Sequence, residues 1–433
     1  MVVSRERRRS SWRSFAPRSD GVRLAARLAP LATSAVLAAL ALGCSRTTEL
    51  FPTLSAACTS PGVSIHLGGD GNASCSGAIA ANLGRYALCT CNDLVVTGNL
   101  DVGVPSEGST GAAGGPGHPP PGPPPPPSFV TPVGSDGSIQ VMGMTRTKGS
   151  VISAGASDLV FGRGGFIGGN VHAAAGLEAS PLMDLLVAGD AYVGGAVDGR
   201  VDVQGTLHAP ADATISPGAR AHALVQEAVT VDPPCQCAAG PVFDVGAAVA
   251  ERKDKNANDS LSFLVSLLAD LGSNQTLDLG CGEYYLPAIQ TADGTTLDLR
   301  VHGRVGIFVA GDVRLGGNFT VTFDEDSELD LVVAGSVSTT GQVFGSPATP
   351  SRTRLWVGST KQGATTVTLP DQILFGAAVY APSSVVLAGA GTTFAGTLFA
   401  GTLSVAGNVH IIYDPSATAA GQSCQQAPPA AVE

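Results

Sequence analysis

Hydrophobic positions in this chain come in short runs of three to five residues, each closed by a small residue and a glycine. The clearest is Leu329-Asp330-Leu331-Val332-Val333-Ala334-Gly335-Ser336-Val337. The phrase returns as Leu185 to Val193 (LLVAGDAYV), Ile307 to Leu315 (IFVAGDVRL), Leu94 to Val102 (LVVTGNLDV) and, more loosely, Val385 to Gly389. Gly311 to Gly335 is 24 residues, Gly335 to Gly358 is 23 and Gly389 to Gly407 is 18. A unit too short to bury its own apolar face, repeated at nearly one interval, predicts stacked coils that bury it against their neighbours. Period-two alternation within each run assigns strands, with Leu329, Leu331 and Val333 inward, Asp330 and Val332 outward, and Gly335 at a corner. The expected fold is all-β, a parallel β-helix or β-solenoid of roughly 12 coils and on the order of 55 Å in length.

The pattern changes in four places, which sets the domain boundaries. Residues 1–43 carry eight Arg, followed by the apolar segment Leu28 to Leu42, and read as a signal peptide ending in Ala41-Leu42-Gly43-Cys44. The small residue before Cys44 resembles a bacterial lipobox, so Cys44 is the expected lipidation site. Residues 44–103 form a tether and a Cys-rich N-terminal cap, which a solenoid needs to cover its first strand edge. Residues 104–128, closing in Pro123 to Pro127, form a Pro/Gly linker in extended polyproline conformation. Two solenoid parts, 129–234 and 288–414, flank a helical, Cys-containing insertion at 235–287, and 415–433 is a flexible tail. Within the insertion, Asp244 to Lys253 and Leu261 to Leu271 show helical periodicity; Leu261, Leu264, Val265, Leu268 and Leu271 share a face.

Composition sharpens this picture. Charged residues are only 14% and aromatics 5%, while Gly (56) and Pro (29) are abundant, as thin β-coils with many corners require. The formal charge of -11 becomes about -17 once the basic leader is set aside, which argues against a nucleic-acid partner. Besides Cys44 there are eight cysteines: Cys58, Cys75, Cys89, Cys91, Cys235, Cys237, Cys281 and Cys424. An even number in an exported chain reads as up to four disulfides of undetermined connectivity.

Candidate chemistry is sparse. The run Asp324, Glu325, Asp326, Glu328, Asp330 is the densest acidic cluster, and Asp324, Asp326 and Glu328 are the candidate Ca²⁺ ligands. The same carboxylates could serve a polysaccharide-cleaving β-helix. A solvated turn and strand face is the plainer reading. Gly68-Gly69-Asp70-Gly71-Asn72 offers a single calcium-type turn, and Glu283-Tyr284-Tyr285 a carbohydrate platform or half-buried strand residues. His172, His208, His302 and His410 are dispersed, and neither an HExxH, a GxSxG, a Walker A nor a Rossmann fingerprint occurs in the required context. No cofactor other than Ca²⁺ is implied.

Ala378-Val379-Tyr380-Ala381-Pro382, Phe394-Ala395-Gly396-Thr397-Leu398 and Gly407-Asn408-Val409-His410-Ile411-Ile412-Tyr413-Asp414 resemble an uncharacterised β-solenoid domain. That domain lies at the C-termini of bacterial pilus-associated and cell-surface proteins. With Ala87 to Leu94 (ALCTCNDL) and Cys281 to Leu286 (CGEYYL), the mature chain resembles a set of myxobacterial lipoproteins over most of residues 58–414. Residues 185–217 resemble bactofilins more faintly; those are cytoplasmic, whereas this chain reads as exported. The resemblance carries no established activity and no catalytic residues.

The expectation is therefore a non-enzymatic lipoprotein anchored to the outer membrane, on its periplasmic face or at the cell surface. It would serve as a structural or adhesive module with polysaccharide or envelope proteins as partners. The alternative is a polysaccharide lyase or hydrolase.

Overall fold

The structure, a computed structural model, describes residues 84–104, 132–235, 237, 243–261, 268–358 and 365–418. The signal peptide, Cys44, Cys58, Cys75, the Gly68 to Asn72 turn, the linker and Cys424 lie outside the described residues, as does most of the second expected helix. The described chain is a three-faced parallel β-solenoid, as the repeat predicts. Strands alternate inward and outward, so Leu329, Leu331 and Val333 enter the core as expected. Coil stacking also aligns like with like: Phe319, Phe344, Phe375 and Phe394 form a ring ladder up the interior of one face.

The recurring Gly-Asn and Gly-Asp pairs have a specific task at the corners of the coil. A corner breaks the strand ladder and leaves a backbone N–H without a strand partner, so each Asn or Asp side chain accepts from the next coil. Asn99 Oδ1 accepts from Met144 N–H at 2.8 Å, Asn170 from Asp190 at 3.0 Å, Asp190 from Thr206 at 2.7 Å and Asp312 from Ser336 at 2.9 Å. The preceding glycine is there because successive corners touch: a Cβ on Gly335 would lie 2.5 Å from the Gly311 carbonyl oxygen. At Gly165, φ is +139° and a Cβ would overlap the Thr145 carbonyl, so only glycine fits.

The order of the coils differs from the order of the sequence. On one face (face 2) the parallel ladder runs 282–286, 304–309, 328–333, 353–357, 378–381, 397–400, and then passes to 88–90, 133–135, 151–153, 171–173, 191–193, 207–209 and 223–226. The strand at Leu88–Thr90 thus sits between a strand some 300 residues later and its own successor. Thirteen layers at about 4.8 Å span roughly 58 Å.

The coil at the seam is assembled from both ends of the described chain. Val409–Tyr413 forms its first side, pairing with Leu100–Gly103 of the next coil, and Leu88–Thr90 and Leu94–Val96 form the other two. Tyr413 Oη donates to the Gly84 carbonyl at 2.7 Å, where the two ends meet. The solenoid is continuous through this point, with the chain entering and leaving at its waist. The N-terminal segment is disulfide-pinned as expected, but it is an internal coil, so it does not cover an end.

A return segment must then run the length of the rod. After Arg220–Gln226 the chain crosses back over face 2 and reaches the first coil at Gln275–Leu279, so 275–287 belongs to the solenoid and not to an insertion. At that far end Leu268 and Leu271 are buried in the core cluster, and Leu271 N–H donates to the Gln290 carbonyl at 2.8 Å. The opposite end is the exposed strand Arg220–Gln226.

Candidate functional site

The crossing segment, the strap, organises the face beneath it. One outward position per coil forms the row Tyr285, Phe308, Val332, Trp356, Tyr380, Phe399, Cys89. On a free solenoid these side chains would face water. Here Phe308 through Cys89 are buried in a second core with Val245 and Val249 of the strap helix Val245–Glu251. Asp244 caps that helix by accepting from Ala247 N–H at 2.9 Å.

The strap is fixed at several layers. Cys235 and Cys237 are disulfide-bonded to Cys89 and Cys91 of the seam coil. The Asp136 carboxylate of the adjacent coil accepts from both Cys235 N–H (2.8 Å) and Cys237 N–H (3.0 Å), holding the pair in register. Further along, Phe243 N–H donates to Tyr380 Oη at 2.9 Å; burial of that ring pushes the Tyr380 phenol up to about 12. Arg252 lies 2.5 Å from Glu283 and 5.2 Å over the Phe308 ring, and Asn258 exchanges two hydrogen bonds with the Tyr285 backbone. Cys281 is also disulfide-bonded.

Next to the aromatic row lies a buried ion cluster. Arg354 Nε and Nη2 donate to the two oxygens of Asp330 at 2.7 and 2.9 Å, Nη2 also donates to Glu328 at 2.7 Å, and Trp356 Nε1 donates to Asp330 at 2.8 Å. Burial alone would lower the Arg354 pKa; the two carboxylates outweigh it and hold the guanidinium charged.

This disposes of the acidic run as a single ligand set. Glu328 and Asp330 are committed to Arg354, Asp326 takes the left-handed turn (φ 59°) into the strand, and Asp324 turns to His302. Because residues 328 and 330 lie on a strand while 324 and 326 lie in the preceding turn, the proposed Ca²⁺ ligands Asp324, Asp326 and Glu328 do not converge. Among the described residues no group of three or more His, Cys, Asp or Glu is placed to hold a metal. Of the Glu283-Tyr284-Tyr285 platform, Tyr284 is core, Tyr285 packs under the strap and Glu283 is paired with Arg252.

Two histidine arrangements escaped sequence reasoning because they depend on coil register. His172, Tyr192 and His208 stack in successive layers with ring centroids 4.7 and 4.3 Å apart, and His208 Nδ1 lies 2.7 Å from Glu227 at the start of the strap. Their outward positions at one coil spacing were the available signal. Burial lowers the pKa of His172.

His302 lies at a corner, with Nδ1 2.5 Å from Asp324 and Nε2 3.3 Å from Asp278. Burial pulls its pKa down, but hydrogen bonds and charge from both aspartates outweigh this and leave it raised above 6.5. A raised folded pKa makes the stabilisation complete below the unfolded value and lost as pH rises through the folded one. Thermal melts should therefore show wild type ahead of His302→Gln by roughly 0.2–1 kcal/mol near pH 6, with the gap closing toward pH 9. A gap independent of pH would refute the pairing.

Residues 235–419 match the model of a domain of unknown function (DUF7305). The match begins at the strap cysteine Cys235 and ends just beyond the last strand, so it takes in strap and second half together. Neither a curated protein nor a solved structure matches the chain.

Proposed function

We propose that this chain is a surface-anchored lipoprotein whose β-solenoid is a structural or adhesive module of the bacterial cell envelope. The observation that carries the reading is the double staple Cys89–Cys235 and Cys91–Cys237, which needs an oxidising compartment to form. The basic leader and Ala41-Leu42-Gly43-Cys44 give that export a route and an anchor. A lipid on Cys44 would hold the solenoid at a membrane, with polysaccharide or other envelope proteins as its partners.

In the bacterial host, an alkyne-tagged fatty acid should label the wild-type chain and not Cys44→Ser, with the label in the outer-membrane fraction. Equal labelling of the two, or none in either, overturns the anchor. The polysaccharide-cleaving alternative would need free carboxylates, and Glu328 and Asp330 are tied up by Arg354. Release of reducing ends or unsaturated products from a polysaccharide panel, abolished by Asp326→Asn or Glu328→Gln, would replace the structural reading with an enzymatic one.

A further inference from the structure

Stacking along the rod ends at the strand Arg220–Gln226, which among the described residues has a strand partner on one edge only. Leu224 continues the inward row directly above Leu207, yet Leu207 is 3% exposed and Leu224 51%. The core therefore runs out into solvent here, with Ile215, Ala219 and Ala221 half-buried beside it. The backbone of this strand dictates the chemistry of an occupant. Alternate residues of a strand aim both N–H and C=O to one side. Glu227 N–H donates to the Ala209 carbonyl at 2.9 Å, so Val225 faces the same way, and Leu224 and Gln226 aim theirs at the open edge. Another extended backbone is the natural complement of such an edge. Neither Pro nor Lys, the usual safeguards of an exposed edge, occurs in the strand.

A second copy of the chain can approach this end because the end is almost uncharged. In a protein of formal net charge -11, the stretch Ala209 to Gln226 carries only Asp212 and Arg220, and Arg220 lies over Asp202 of the coil beneath. Glu227 is engaged by His208, and Asp198 lies one coil down, just after the residue under Ile215. Antiparallel pairing about a two-fold axis at Val225 satisfies both open edges at once. Leu224 of each copy then lies opposite Gln226 of the other, each pair exchanging both its N–H···O bonds. Val225, 38% exposed, meets its own counterpart on the outward face, and the inward row continues from Leu207 through Leu224 into the second rod. The same axis brings exposed His222, at the corner before Ala223, to the side where the second copy carries exposed Asp212.

We propose that the open end of the rod is an interface with a second copy of this chain, joining two solenoids end to end through antiparallel pairing of residues 223–226. At the other end Leu268 and Leu271 cover the first coil, so assembly closes at a two-fold dimer. The interface goes beyond the lipoprotein reading and does not rest on it. The test uses the full chain carrying Cys44→Ser, which lacks the acyl chain in every arm.

Sedimentation velocity should show a monomer–dimer equilibrium that shifts with protein concentration. Residues facing each other across such an axis have Cα atoms about 4.5 Å apart, within disulfide reach. Mild oxidation of Val225→Cys should therefore give a covalent dimer, mapped by mass spectrometry to position 225 in both chains, and Met142→Cys, exposed but away from this end, should not. Val225→Lys and Val225→Glu each set like charges face to face and should weaken dimerisation roughly tenfold or more, while mixing the two variants should restore it. Recovery on mixing separates a lost interface from a lost fold. A monomer at every concentration overturns the proposal, and so does a dimer that neither cross-links through Val225→Cys nor responds to Val225→Lys. Assemblies larger than a dimer overturn the closed two-fold, because they need the covered end as well. Failure of fatty-acid labelling leaves these results untouched, so the two readings fail separately.

Discussion

Replacing all four cysteines of the double staple with serine is expected to lower stability by about 5 kcal/mol or more, whereas removing either disulfide alone costs only about 1–2 kcal/mol. Each bridge closes a separation of 146 residues. In the chain-entropy account that loop is worth about 5 kcal/mol, because it limits how far the unfolded chain can separate Cys89 from Cys235. The two bridges close the same loop. With Cys89–Cys235 in place, Cys91 and Cys237 are already neighbours, and their bond closes a ring of only a few residues.

The native state adds a second reason for a large combined effect. Without staples the strap is held over face 2 by packing, the Asp136 hydrogen bonds and the contacts of Tyr380, Glu283 and Tyr285. Loss of those contacts would expose Phe308, Trp356 and Phe399 together. Urea unfolding of Cys89→Ser/Cys235→Ser, Cys91→Ser/Cys237→Ser and the quadruple variant separates the contributions. Costs that simply add, with each pair worth half of the total, would show that the bridges do not share a loop.

Coil interiors were legible in the sequence because a strand has period two and the glycine phrase repeats. The inward residues Leu329, Leu331 and Val333 and the helix after Asp244 followed from local pattern, and the paired state of Cys89, Cys91, Cys235, Cys237 and Cys281 from an even cysteine count in a chain read as exported. The order of coils did not follow, because one β-coil offers much the same edge as another. Nothing within Leu88–Thr90 distinguishes a strand that opens a ladder from one that sits inside it.

A clue to the strap was nonetheless present. Under the strap the strands read as unbroken apolar runs, such as Val305 to Val309 and Leu329 to Val333 with Asp330 alone interrupting. Beyond the described strap helix they alternate, as in Val171-His172-Ala173 and Ala191-Tyr192-Val193. Parallel strands covered on both faces lose alternation. Reading that loss would have identified a covered face, though not the segment covering it.

The same covered face makes Arg354→Met the most damaging single substitution expected outside the staples, at about 3–5 kcal/mol. Asp330 and Arg354 are opposite each other in adjacent coils, both buried, and the guanidinium meets the carboxylate through two donors. Removing the cation leaves the Asp330 charge in a site with little access to water, with Trp356 Nε1 among the groups that remain to solvate it. Glu328 keeps partial contact with water and should suffer less.

Removing both charges avoids the stranded ion, so Asp330→Leu/Arg354→Met should be more stable than Arg354→Met alone. Recovery stays incomplete because the Trp356 N–H then lacks this acceptor, at a cost of about 1–3 kcal/mol. Arg354→Lys, which keeps the charge but loses the two-pronged contact, should fall between wild type and Arg354→Met. Urea midpoints of wild type, Asp330→Leu, Arg354→Met and the double variant form the cycle, with Arg354→Lys measured beside them. A double variant no more stable than Arg354→Met would mean that the damage comes from lost packing under the strap and not from an uncompensated charge.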